Sequence, residues 1–137
     1  MIVLTTSPWT VQAYLTTDGQ HVERLQYVDE YIRRNAAVWV AAVNPLMAEF
    51  GHPRSLTSGF RDRTSNANCG GALYSWHCRA LAGDIDDQGR ALDKFCTEAI
   101  LEKYHLWAEH RDDKKRVHLQ TEAPRLWKTG MSRRFYP

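Results

Sequence analysis

The sequence predicts an α+β fold, with N-terminal helices packed on a small antiparallel sheet. Apolar residues recur at helical intervals between Val22 and Phe50, and short apolar runs bounded by turn residues fill the second half. The composition, 43% hydrophobic and 25% charged, is that of a globular domain. At 137 residues the chain is long enough to bury one core, so residues 1–137 read as a single domain.

Leu25, Val28 and Ile32, then Val38, Val43, Leu46 and Phe50, suit two helices separated by a break near Asn35. Pro45 follows Asn44, where the second helix starts afresh or kinks, and Gly51 with Pro53 stops it. "SLTSGF" (55–60) reads as a strand, and "RDRTSNANCGG" behind it as a loop with room for one helical turn. "LAGDID" (81–86) is a buried strand closed by the turn "DQGR". Residues 90–103 place Leu92, Phe95, Ala99 and Ile100 on one face of a third helix. "YHLWAE" and "RVHLQT", separated by "HRDDKK", form an antiparallel hairpin.

Charge is uneven. Residues 110–137 carry eight Lys/Arg against three Asp/Glu, while the rest carries ten against thirteen. A basic end suits an anionic polymer or a solvated tail; no nucleic-acid motif accompanies Lys114, Lys115, Arg116, Arg125, Lys128, Arg133 and Arg134, so nucleic acid is not an expected partner. Cys69, Cys78 and Cys96 cannot all pair within one chain and show no CxxC spacing, which argues against a disulfide framework or zinc finger. "MIVLTTSPWT" lacks the pattern of an export signal, and no apolar run of about 18 residues occurs. The expectation is a chain made in the cytoplasm without a signal peptide, not inserted in a membrane.

His77, Asp84 and His118 carry the chemistry. Asp84 and His118 each lie inside an apolar strand, where an unpartnered polar group is costly. Two readings repay that burial: a His–Asp hydrogen bond, or a shared zinc ion, which takes imidazole and carboxylate ligands and in catalytic sites keeps a position for water.

"LTSGFRD", "NCGGALYSWHCRALAGDID" and "RVHLQ" together resemble the zinc D-Ala-D-Ala carboxypeptidase and L-Ala-D-Glu endopeptidase family, the LAS-type peptidoglycan peptidases that include many phage endolysins. Ser75, His77, Ala82 and Asp84 fall on the family's "SxHxxGxAxD", Ser58 to Arg61 on "SGYR", and Val117 with His118 on its late "VH"; the likeness spans about residues 45–125. It implies Zn2+ held by His77, Asp84 and His118, with Arg61 anchoring a substrate carboxylate and Ser75 touching substrate or a ligand. Arg61 also has a structural reading, an ion pair with Asp62 or a bond to a loop carbonyl.

Two positions depart from the family. Ala80 replaces a glycine, a one-methyl change that suits a backbone of negative φ. Lys115 stands where many relatives carry the catalytic acid, three residues before the last histidine. Glu109, at the end of the preceding strand, is the first candidate for that acid. Asp112 and Asp113 follow, though both also read as turn residues, and Glu122 is the most distant. His105 and His110 fall on no ligand position, and Trp39, Trp107 and Trp127 read as core or groove walls.

The resemblance implies a monomeric zinc peptidase that cuts a stem-peptide amide of peptidoglycan, as a phage endolysin or virion-associated lysin acting on the bacterial wall. Its rival is a catalytically inactive, zinc-containing structural or wall-binding module of a phage particle.

Overall fold

The computed structural model describes residues 6–68, 75–110 and 115–136. Cys69, Asp112, Asp113 and Lys114 lie outside the described residues. Helix α1 (Val11–Thr16) and a 3₁₀ turn (Val22–Tyr27) lead into α2 (Glu30–Phe50). Then come β1 (Leu56–Ser58), α3 (Arg63–Asn68), a second 3₁₀ turn (Trp76–Arg79) and β2 (Ala82–Asp86). Helices α4 (Ala91–Phe95) and α5 (Glu98–Lys103) precede β3 (Trp107–Glu109), β4 (Arg116–Gln120) and β5 (Arg134–Phe135).

Helix α2 is one uninterrupted element through Asn35 and Pro45, not two. Asp29 caps its start by accepting from the Ile32 amide at 2.8 Å, and Gly51, at φ 82°, ends it. The residues that suggest a break are engaged elsewhere: Asn35 donates to the Arg79 carbonyl, and Asn44 bonds both the amide and the carbonyl of Trp9. With those amides committed to tertiary partners, they no longer compete with the helix backbone. One helical phase then runs Ile32, Ala36, Trp39, Val40, Val43, Leu46 and Met47 into the core, and leaves Val38 52% exposed.

The third expected helix is two short ones. Thr97 caps α5 by accepting from the Ile100 amide, and Cys96 closes α4. The polar loop after β1 holds a helix, α3. Helix α1 and strand β5 are additional to the sequence reading.

The sheet order is β1-β2-β4-β3-β5. The first three pairings are antiparallel as expected, whereas β5 runs parallel to β3, so the sheet is mixed. One face carries Ile85, Val117, Leu119 and Ala108, all buried in the core with α2. Burying a Leu, Ile or Val side chain stabilises by roughly 1.5–3 kcal/mol, so these alternate positions fix which face turns inward.

Two aromatics lock that face. Trp39 donates from Nε1 to the Leu119 carbonyl at 3.0 Å, and Tyr14 donates from its hydroxyl to the Ala82 carbonyl at 2.6 Å. Their rings stack at 4.7 Å. Trp39 lies so close to β2 that a Cβ at Gly83 would come within 2.3 Å of its Cζ2 atom, which is why the residue before Asp84 has no side chain. Among the described residues no helix is long and apolar enough to cross a membrane.

Candidate metal centre

The opposite face of the sheet carries the polar row. Cross-strand register aligns Ser58, Asp84, His118, Glu109 and Phe135, one residue from each strand. A strand's side chains alternate between faces, so this alignment puts Asp84, His118, Glu109 and Phe135 on one side of the sheet, while a bulge between Leu56 and Ser58 interrupts the alternation in β1. Asp84 and His118 are therefore neighbours by register, and Glu109 faces His118 directly, as the hairpin reading requires.

His77 reaches the row from the 3₁₀ turn above β2. Ser75 starts that turn by accepting from the His77 amide at 3.2 Å, so its hydroxyl holds the backbone that presents the imidazole. Ala80 ends the turn at φ 58°, with its amide on the His77 carbonyl. The condition of negative φ is thus not met: the position uses the left-handed conformation that glycine adopts freely. An alanine there costs about 1–2 kcal/mol, offset in part by the burial of its methyl group.

The "SGFR" segment supports His77 from below. The Gly59 carbonyl accepts from His77 Nδ1 at 2.8 Å, and the Arg61 amide donates to the His77 carbonyl at 3.2 Å. A Cβ at Gly59 would lie 2.2 Å from the Tyr14 carbonyl oxygen, so only glycine lets this strand end press against α1. Because a carbonyl can only accept, the Nδ1 of His77 carries the proton and its Nε2 presents a lone pair. That Nε2 is buried, has no hydrogen-bond partner among the described residues, and lies 3.4 Å from Asp84 Oδ2.

His118 is fixed from both sides. Its Nδ1 lies 3.0 Å from Asp84 Oδ1, and its Nε2 lies 2.9 Å from Gln120 Oε1. Gln120 is fully buried, and its amide nitrogen donates to the Glu122 carbonyl at 2.8 Å. Held that way round, Gln120 can only accept from Nε2–H, which turns the Nδ1 lone pair of a neutral His118 toward Asp84 and His77. Gln120 escaped the sequence reading, although its place two residues beyond His118 in an apolar strand marks it as sharing that face.

His77, Asp84 and His118 are each about 2–3% exposed, and one ligand atom from each lies within 4.8 Å of the others. Burial pushes His77 below its ordinary pKa, with the charges of His118 and Arg61 adding to that and Asp84 opposing it. Burial alone would raise Asp84, yet the two imidazoles hold its carboxyl well below the usual range. Burial opposes a charge on His118 as well, but the hydrogen bond and charge of Asp84, then Glu109 and Gln120, raise its pKa. The donor set fits a divalent metal: an anionic carboxylate, a neutral imidazole with an orphaned lone pair, and a second imidazole with its far nitrogen already bonded.

The other expected residues divide clearly. Glu109 Oε2 lies 3.7 Å from His118 Nε2, with a side chain 19% exposed, so it borders the centre and still meets solvent. Arg61 is half-buried and close enough for its charge to act on His77 and Tyr14. Asp62 is paired with Arg24, whose Nε lies 3.7 Å from Asp62 Oδ1. Glu122 is exposed and meets the site through its carbonyl. Asp112 and Asp113 lie outside the described residues. Trp39 is core, and Trp107, the register partner of Gln120, packs edge to face with Trp127.

Comparison with known proteins agrees with this arrangement. The family model described as Peptidase M15 matches residues 13–123, which includes all the residues that build the centre. No curated protein matches the chain. With a family match over most of its length and a His–Asp–His cluster that could hold a metal, the chain belongs to the peptidase M15 family.

Proposed function

We propose that the protein is a zinc-dependent peptidase that hydrolyses an amide bond in the stem peptide of peptidoglycan, either D-Ala-D-Ala or L-Ala-D-Glu. The observation that carries the proposal is the aligned row of Asp84, His118 and Glu109 with His77 beside it, in a chain of this family. His77 Nε2, an Asp84 oxygen and His118 Nδ1 would hold the ion. Zinc bound there supplies a Lewis acid and lowers the pKa of a bound water toward neutrality.

The chain's own residues do the rest. Glu109, bordering the site and reaching solvent, takes the proton from the attacking water and returns it to the leaving amine. Arg61 binds a substrate carboxylate through its planar, permanently charged fork. Gly59 and Gln120 keep the two imidazoles in the tautomers that leave lone pairs facing Asp84. The basic C-terminal residues favour approach to an anionic cell wall, in keeping with an endolysin or virion-associated lysin.

Mass analysis of a defined muropeptide incubated with the zinc-loaded protein tests this and names the bond. Cleavage by wild type, lost in His77→Ala, is expected. Stoichiometric zinc without hydrolysis would instead favour an inactive wall-binding or structural module.

A further inference from the structure

Residues 124–136 lie beyond the family-matched span 13–123, yet they return to the sheet at the edge that holds Glu109. They are firmly attached. The Ala108 amide donates to the Arg133 carbonyl at 2.8 Å and the His110 amide to the Phe135 carbonyl at 2.7 Å, so β5 takes the outward donors of β3. The Arg134 guanidinium donates to the carbonyls of Asp93 and Cys96 and pairs with the Asp93 carboxylate at 2.6 Å. Glu98 accepts from the Arg133 amide at 2.9 Å and from the Ser132 hydroxyl.

This strap extends the polar row with aromatic surface. Phe135 is the register partner of Glu109, is half-buried, and places its ring edge-on to His118 at 6.5 Å between centroids. Next to it, Tyr136 stacks on His110 at 4.2 Å and 15°, and the tyrosine remains 80% exposed. An aromatic stack that buries so little of its tyrosine does little for the core and presents an aromatic face to solvent.

We propose that Phe135 and the Tyr136–His110 stack form the subsite for the amino-acid residue that carries the leaving amine of a peptide substrate, gripping it by apolar contact. The inference rests on the peptidase reading above. In amide hydrolysis the group that protonates the departing nitrogen must come within hydrogen-bond reach of it, so the leaving side of the substrate lies on the Glu109 side of the centre. Along the row, what lies beyond Glu109 from Asp84 and His118 is the strap.

The test compares wild type, Tyr136→Ala and Phe135→Ala on two muropeptides that share an acyl side, one with its full leaving side and one cut back to a single leaving residue. Tyr136→Ala is expected to raise KM about 5- to 10-fold on both substrates, since both contain the residue that carries the leaving amine, with unaltered kcat, zinc content and Tm. Phe135→Ala acts on both substrates, because Phe135 adjoins Glu109. Equal KM for wild type and Tyr136→Ala on both substrates overturns the subsite, even if Phe135→Ala fails to fold, since the exposed Tyr136 can be removed without disturbing the core. A zinc-loaded wild type that cleaves neither substrate overturns the peptidase reading itself, a result distinct from active variants with unchanged kinetics.

Discussion

Gln120 Oε1 lies 2.9 Å from His118 Nε2, and the Gln120 amide nitrogen is itself bound to the Glu122 carbonyl at 2.8 Å. This chain fixes which nitrogen of His118 can face a metal. Replacing Gln120 by Leu keeps the volume and removes the acceptor, so His118 loses its preference for the Nε2–H tautomer. Zinc affinity is expected to fall about 10- to 100-fold with the fold intact, measured by competition with a chelator. Gln120→Glu, which keeps an acceptor at this position, should restore much of it. Unchanged affinity in Gln120→Leu would remove the glutamine from the account.

The pH dependence of the metal-free protein follows from the direction of three shifts. His77 is depressed, so below pH about 6.5 the unfolded chain holds a proton that the folded chain does not, and stability rises with pH there. His118 is raised, so its contribution is fully present below about 6.5 and is lost as pH climbs through its folded pKa. Asp84 is depressed, so its contribution is present above about 3.9 and is lost as pH falls through its folded value. The cluster is thus most stabilising near pH 6.5. Tm in chelator should decline above that pH, and saturating zinc should abolish the decline by replacing the His118 Nδ1 proton. A chelated protein whose Tm climbs steadily to pH 9 would contradict these directions.

Gly59→Ala tests the support beneath His77. The new Cβ would meet the Tyr14 carbonyl oxygen at 2.2 Å, and backbone cannot swing aside as a flexible side chain does. A loss of at least about 2 kcal/mol is expected, read from denaturant unfolding, together with weakened zinc binding because the Gly59 carbonyl moves from His77. A stable variant with normal affinity would show that β1 and α1 can separate without consequence.

Much of this centre was legible in the sequence because burial of a polar residue leaves a mark. Asp84 and His118 stand out within apolar runs, and the hairpin between "LWAE" and "RVHL" predicts the facing of Glu109 and His118 that the register displays. Other features leave no such mark. The support from Gly59 is a carbonyl, which any residue possesses, and the need for glycine arises from the distant Tyr14. Asn35 reads as a helix break until its amide is seen on the Arg79 carbonyl. Strand β5 is two residues long, and its strand character comes from pairing with β3. The positive φ of Ala80 likewise follows from the turn that presents His77.

Glu109 is where the account is most exposed to test. Its carboxylate adjoins His118 without being one of the three clustered ligands, so Glu109→Gln should bind zinc stoichiometrically and fold normally. Turnover of the defined muropeptide by the zinc-loaded variant is the direct measurement. A fall of about 100-fold or more in kcat is predicted, as expected for loss of a general base and acid; a fully active, zinc-loaded Glu109→Gln would contradict the assignment of proton transfer to this residue.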